Sequence, residues 1–324
     1  MKTLVTGGAG FIGSHLAEHL LKNGHSVTIL DNLSTGRVEN IIHLKKKIRF
    51  IKCDISYEKK IYKYFKNIDW VFHLAALADL IPSIQKPIDY FDSNVKGTIN
   101  VLDASVKMNV KKFLFSASSS CYGIPKKYPT SENSEIDPKH PYALTKRIGE
   151  ELVLHWKKVY KLDVVSLRLF NVYGTRSRTS GTYGAMFGVF LKQKISGHPY
   201  TIVGNGKQKR DFTYVTDVVK AMIRAVETKT KENIFNVGSG KAVSINNIVK
   251  LLGGNSIYIK KRPGEPDVTF ADIRKIKKNL KWKPLISIEE GVYLLKKNID
   301  YWKNAPLWTV NKINKATKNW FRYL

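Results

Sequence analysis

In the stretch HPYALTKRIGEE, Tyr142 and Lys146 stand four residues apart, a spacing that puts both on one face of a helix. A tyrosine that acts as a base at neutral pH must have its pKa drawn down from about 10, and a nearby ammonium favours the phenolate. An oxidised nicotinamide would add a second positive charge. Upstream, FSASSSCYG at 115–123 is a run of small hydroxyl side chains with no carboxylate. Near the start, TGGAGFIGSH sets Gly7, Gly10 and Gly13 three residues apart at the entry to a helix. Glycines there permit a tight turn and close backbone approach, so that a helix N-terminus faces a pyrophosphate. Together these segments point to a dinucleotide site beside a tyrosine placed to act as a base.

The glycine loop gains force from its context. A strand precedes it, a helix follows, and a second strand ends in Asp31, eighteen positions after Gly13. That is near the usual interval for an acid that binds the adenosine ribose hydroxyls. Asp31 would repel a 2′-phosphate and Asn32 beside it brings no positive charge, which favours NAD over NADP; Arg37 is the residue that argues the other way. Asp54, after the third strand, reads as either an adenine contact or a surface turn residue.

These residues need a scaffold of alternating strands and helices. Short β-type runs at 2–6, 26–30, 48–52, 70–74, 112–116 and 163–169 alternate with helical patterns at 11–22, 94–108 and 142–160. That alternation predicts an α/β protein: a Rossmann-type, doubly wound parallel sheet with a smaller C-terminal substrate-binding domain. After Asn171 the pattern shifts to Gly- and Thr-rich loops, GTRSRTSGTYG and VGNGKQKRDF, mixed with shorter helices. Phe235-Asn236-Val237 reads as a strand returning to the sheet. The expected division is therefore 1–170 for the cofactor domain with return segments near 212–237, an interleaved substrate domain over 171–310, and a tail at 311–324. The tail carries Trp320, Phe321 and Tyr323 and is expected to pack on its own domain.

Composition bounds the rest. A chain of 324 residues with 43% hydrophobic residues can bury a sizeable core. No stretch approaches the roughly 18 consecutive apolar residues of a membrane span, and MKTLVTGG lacks the form of a signal peptide, so a cytoplasmic protein is expected. Cys53 and Cys121 imply neither a disulfide framework nor a zinc site. The sequence His15-Leu16-Ala17-Glu18-His19 has the H-x-x-E-H form, but it falls on the helix after the glycine loop, and no metal is expected. The net charge of +29 suits nucleic acid, anionic membrane or phosphorylated small molecules. The lysines are spread through nearly every segment without a nucleic-acid motif, so we expect no nucleic-acid or membrane partner and a field that collects an anionic nucleotide.

The motifs TGGAGFIG, HLAALA, SSSCYG, PYALTK, RLFNVYG, RDFTYV and FNVGSG occur in an order that resembles the extended short-chain dehydrogenase/reductase family, up to about residue 300. Within that family the chain is most similar to the NAD-dependent nucleotide-sugar 4-epimerases of the UDP-galactose type. The resemblance implies NAD as cofactor, a UDP-sugar as substrate and a homodimer formed through the helices at 94–108 and 142–160. It implies a cofactor shell of Gly7, Gly10, Phe11, Ile12, Gly13, Asp31, Asn32, Asp54, Ile55, Leu74, Ala75 and Ala76, with Tyr142 and Lys146. Ser118 matches the family's catalytic Ser/Thr, with Tyr142 as base and Lys146 holding the nicotinamide ribose and depressing the tyrosine pKa. Ser120 would be a second hydroxyl contact, Asn171 a contact to the substrate phosphates, and Arg210 and Arg262 a clamp on the diphosphate. Asn94 would help to position a loop at the site.

The hydroxyl run separates reaction types within the family. The 4,6-dehydratases read like T-D-E-V-Y-G here and use both acids for elimination, and the UDP-glucuronate decarboxylases carry the Glu. Aligned on Tyr122-Gly123, those acids fall on Ser119 and Ser120. Hydroxyls suffice for a 4-epimerase, which moves one proton and returns a hydride to the other face of a 4-keto sugar. A 4-dehydrogenase, a 2-epimerase and a uronic-acid epimerase share the same tyrosine, lysine and glycines. Thr269 stands where the family's glucose-restricted epimerases can carry a bulky aromatic, so a 2-acetamido sugar is expected to fit, with Phe270 as a neighbour that would narrow the space.

Overall fold

The computed structural model describes residues 1–57, 61–177 and 185–324. The distal half of the expected loop at 174–184 lies outside them. The strands are β1 Lys2–Thr6, β2 Ser26–Asp31, β3 Ile48–Lys52, β4 Trp70–His73, β5 Lys112–Ser118, β6 Val164–Leu169, β7 Asn171–Tyr173, β8 Tyr200–Val203, β9 Lys209–Arg210, β10 Phe212–Tyr214, β11 Ile234–Val237, β12 Val243–Ser244 and β13 Ser256–Ile259. The helices are α1 Phe11–Lys22, α2 Leu80–Gln85, α3 Pro87–Phe91, α4 Gly97–Lys107, α5 Pro141–Tyr160, α6 Met186–Ile195, α7 Val215–Glu227, α8 Ile245–Leu252, α9 Arg274–Leu280, α10 Ile288–Lys297 and α11 Val310–Tyr323.

Among the described residues, β11-β6-β5-β4-β1-β2-β3 form one sheet in which every pairing is parallel. Parallel strands buried on both faces read as near-continuous apolar runs, and β5 is buried along its whole length. Successive side chains go to opposite faces. Val5 and Leu114 join the layer of α1 and α7 through Leu16, Leu20, Val218 and Met222. Leu4, Phe113 and Phe115 join the opposite layer of α4 and α5 with Val101, Leu102 and Val153. β11 returns to the sheet beside β6, as the sequence predicts.

A separate hydrophobic core includes Phe190, Ile202, Ile248, Leu295 and Trp302. The tail is the helix α11, which buries Ile313, Thr317 and Trp320. One expected helix differs at its start: residues Asp92–Lys96 form a wide π turn before α4. Within it Asn94 is buried, and its amide bonds the backbone of Leu77 at 2.8 and 3.0 Å and the Thr145 hydroxyl at 3.0 Å. A π turn inserted in a helix often marks a place where a side chain is re-aimed. No helix among the described residues is long and apolar enough to cross a membrane.

Candidate active site

The C-terminal ends of the sheet strands open into a cavity of about 660 Å³. Ligands in open α/β sheets bind at this edge. At one end lies the glycine loop. Gly7 has φ +70°, and a Cβ there would come within 2.8 Å of the Ala75 backbone. A Cβ on Gly13 would collide with the Gly7 carbonyl oxygen. Helix α1 starts at Gly10 with no side-chain cap and no acid in its first turn, so its first N–H groups remain for an anion.

Asp31 braces this loop. Its Oδ2 accepts from Ala9 N at 2.9 Å and its Oδ1 from Leu33 N at 2.8 Å. Burial raises the Asp31 pKa, against the pull of those two donors. Asn32 Nδ2 donates to Asp54 Oδ2 at 2.9 Å, and Asp54 Oδ1 accepts from both the amide and the hydroxyl of Ser56. Phe11, Ile12, Ile55, Leu74, Ala75 and Ala76 complete this end of the wall. Arg37 also borders it, with its guanidinium 4.7 Å from the ring of Tyr301. A narrow loop of glycines at an uncapped helix end, followed by an acid on the next strand, fits a dinucleotide.

Toward the middle, Ser118 ends β5 and caps the short turn Ser119–Tyr122 by accepting from Ser120 N at 3.2 Å. Burial raises the pKa of Tyr142, which lines the same wall, and the nearby Ser118 hydroxyl opposes that rise only in part. The expected depression of the tyrosine pKa by Lys146 is therefore not the dominant effect: Tyr142 lies in low-polarity surroundings that disfavour the phenolate. Lys146 is only 5% exposed. Its own pKa is lowered to about 7 by burial, with Glu150 opposing. Pro141 opens α5 and His140 caps it, its Nδ1 accepting from Ala143 N at 3.2 Å. The His140 ring stacks on Tyr142 with centroids 6.0 Å apart and planes 6° apart, and burial lowers its pKa to about 4.

At the far end stand Ser120, Asn171, Arg210, Arg262 and Thr269. Arg262 pairs with Glu265 at 2.7 Å and Arg210 approaches the same carboxylate at 3.9 Å. Glu265 thus gathers the two guanidinium groups, and burial lowers the Arg210 pKa. The Thr269 hydroxyl donates to Asn171 Oδ1 at 2.9 Å and accepts from Asp211 N at 3.1 Å. Its methyl is what remains for the cavity. Phe270 does not line the cavity.

Every residue expected at the cofactor and substrate sites borders this one cavity, whereas Asn94 lies behind it. Sequence reasoning missed His140, Glu265 and Trp320. Glu265 carried a signal in its spacing three residues after Arg262; the other two are brought in by the fold. His15 and His19 are not brought together as ligands: His15 Nε2 pairs with the Thr175 carbonyl at 2.9 Å, and burial lowers the pKa of both. Among the described residues no group of three or more metal-binding side chains occurs.

The chain is similar to known proteins of one family. The NAD dependent epimerase/dehydratase family matches residues 3–238. A UDP-glucose 4-epimerase of Mycolicibacterium smegmatis is 34% identical over 315 residues, covering 94% of this chain and 99% of the relative. The crystal structure of a Thermotoga maritima UDP-glucose 4-epimerase with UDP-glucose superposes with a TM-score of 0.87 at 35% identity, covering 94% of this chain and 99% of that one. A Bacillus cereus UDP-glucuronic acid 4-epimerase, in complex with UDP-glucuronic acid and NAD, does so with a TM-score of 0.85 at 35% identity and the same coverage.

Proposed function

The chain belongs to the NAD-dependent epimerase/dehydratase family and is an NAD-dependent enzyme of the UDP-sugar epimerase type, and from that premise we propose that it interconverts the 4-epimers of a UDP-hexose through a 4-keto sugar. The observation that carries the proposal is that Ser118, Tyr142 and Lys146 line one cavity wall in which serines, not acids, occupy 119 and 120. A dehydratase or decarboxylase needs a carboxylate there. Tyr142 takes the proton of the sugar 4-hydroxyl through the Ser118 hydroxyl and later returns it. NAD supplies the hydride acceptor and donor at C4. Gly7, Gly10 and Gly13 would hold its pyrophosphate, Asp31 the adenosine ribose and Lys146 the nicotinamide ribose. Arg210 and Arg262 exchange their shared Glu265 for the substrate diphosphate, whose planar double contacts suit guanidinium groups.

The substrate reading is UDP-glucose/UDP-galactose, with UDP-GlcNAc/UDP-GalNAc admitted by the small Thr269. A second reading, a UDP-uronate, is favoured by Lys139, Ser119 and Ser120 along the same wall, which would meet a sugar carboxylate. Proton NMR of UDP-glucose, UDP-GlcNAc and UDP-glucuronate with the purified protein, without added NAD, tests the reading. Appearance of a 4-epimer with no net NADH supports it; unchanged sugars in the presence of protein that carries NAD overturn it.

We also propose that the enzyme is a homodimer through the helices that follow β4 and precede β6. Ile88, Ile99 and Leu144 are exposed on α3, α4 and α5, an arrangement that a second copy would cover. Light scattering of the Ile99→Glu/Leu144→Glu variant should give half the wild-type mass, and an unchanged mass argues against this face.

A further inference from the structure

Helix α11 lies beyond residues 3–238 that the family profile matches and beyond the motifs that end near residue 300, yet it reaches the site. It packs against α2, where Gln85 Nε2 donates to the Ala316 carbonyl at 3.4 Å. Of the three side chains it buries, Ile313, Thr317 and Trp320, only Trp320 borders the cavity. The indole Nε1 donates to the Pro263 carbonyl at 2.8 Å, in the loop that carries Arg262 and Glu265. Its ring centroid stands 6.1 Å from that of His140, the residue stacked on Tyr142. One side chain thus touches both the loop of the substrate arginine and the partner of the tyrosine.

We infer that Trp320 is a specificity-determining residue that walls the hexose end of the cavity and limits the size of the sugar's substituents. The inference rests on the UDP-hexose reading above. A sugar whose reacting carbon meets Tyr142 and whose diphosphate meets the Arg262 loop lies between the two groups that Trp320 joins. With its N–H engaged by Pro263, the indole offers this space only apolar carbon, so it selects by shape. Trp320 is 1% exposed, so its ring is packed on nearly every side and the volume it fills adjoins the cavity. Removal of the indole would join that volume to the sugar pocket. A bulkier N-acyl group would then fit where the wild type excludes it.

The test compares wild type with Trp320→Ala, Trp320→Phe and Ile313→Ala. Ile313 is buried on the same helix but does not border the cavity, so its variant loosens the helix without removing the wall. Calorimetry gives Kd for UDP, UDP-glucose, UDP-GlcNAc and a UDP-glucosamine bearing an N-butanoyl group, and NMR gives kcat/KM for each sugar. The expected result is a gain of about tenfold or more in the N-butanoyl to N-acetyl ratio for Trp320→Ala, the scale that a methylene-sized change in an apolar pocket produces. Trp320→Phe should shift it less and Ile313→Ala should leave it alone, while UDP affinity reports any loosening of the Arg262 loop and cancels in the ratio. An unchanged ratio in Trp320→Ala, an equal shift in Ile313→Ala, or wild-type protein that binds UDP-sugars no more tightly than UDP overturns the inference. A wild type that binds these sugars without epimerising any of them sinks the 4-epimerase reading alone, because the Kd ratios still decide the role of Trp320.

Discussion

The Lys146 ammonium lies 4.4 Å from the centroid of the Phe115 ring, between helix α5 and strand β5. An aromatic face offers a cation a partial substitute for water. It does not replace full hydration, and burial brings the lysine pKa from 10.5 down to about 7.

The consequence is a pH-dependent stability. The folded pKa is depressed, so below about 7 the lysine is charged in both folded and unfolded chains and the full cost of its burial is present. As pH rises from about 7 towards the unfolded value of about 10.5, the unfolded chain holds more protons and the cost is relieved. Lys146→Met should therefore raise stability by a few kcal/mol at pH 6, and the gain should shrink towards pH 10. Urea unfolding of both proteins at the two pH values measures it; a gain independent of pH would assign the effect to packing instead. The same variant should lose activity.

As the proposed base, Tyr142 should set the pH dependence of catalysis. Burial raises its pKa while the Ser118 hydroxyl pulls it down, so the phenolate fraction grows with pH across the neutral range. The rate should rise with pH, and Ser118→Ala, which removes the pull, should shift that rise to higher pH. Tyr142→Phe should lower kcat by about 10²–10⁴-fold, the range of a lost acid–base group. Pre-steady-state rates from pH 6 to 10 for the three proteins check this, with thermal unfolding as the control for folding.

The glycine loop makes a prediction that needs no turnover. A methyl on Gly13 points at the Gly7 carbonyl oxygen, a backbone atom that the loop fixes through Gly7 N to Leu30 O at 2.8 Å. Gly13→Ala must therefore displace the loop. The variant should purify without NAD, seen as a lower ratio of absorbance at 260 to 280 nm, and should not regain it at millimolar NAD. Retention of NAD would mean that the loop yields at little cost.

Much of this arrangement was legible in the sequence because each signal was local. The spacing of Gly7, Gly10 and Gly13, the i,i+4 pair Tyr142 and Lys146, and the alternating strands each depend on residues close along the chain. What was not legible depends on residues brought together from far apart. Trp320 meets His140 across 180 positions, and nothing near either residue announces it. The pairing of β8 with β13 joins residues near 200 to residues near 256 in the second lobe, where the sequence shows mainly turns. The raised Tyr142 pKa was not legible for the same reason: charge can be counted along a sequence, whereas the burial that dominates here follows from the assembled walls.

Glu150 on helix α5 and Arg168 on strand β6 form an ion pair at 2.6 Å, with both side chains almost fully buried. The carboxylate also accepts from Ser166 Oγ at 2.8 Å and from Arg147 at 2.8 Å, and the Arg168 guanidinium donates to Tyr122 Oη at 2.8 Å and to the Glu132 carbonyl at 3.0 Å. Removing one member leaves a buried charge without its partner, which costs about 3–5 kcal/mol. Glu150→Gln should destabilise by that order, and Arg168→Met should cost less, because Arg147 still pairs with Glu150 at 2.8 Å. The double variant Glu150→Gln/Arg168→Met should lose much less than the sum, because the charges leave together. Glu150 also opposes the burial effect on Lys146, one helical turn before it. Its neutralisation should therefore lower the Lys146 pKa further, enlarge the gain from Lys146→Met at low pH and move to lower pH the point at which that gain begins to shrink. Denaturant unfolding of the four proteins measures the coupling, and additive losses would show that the pair acts as two independent contacts.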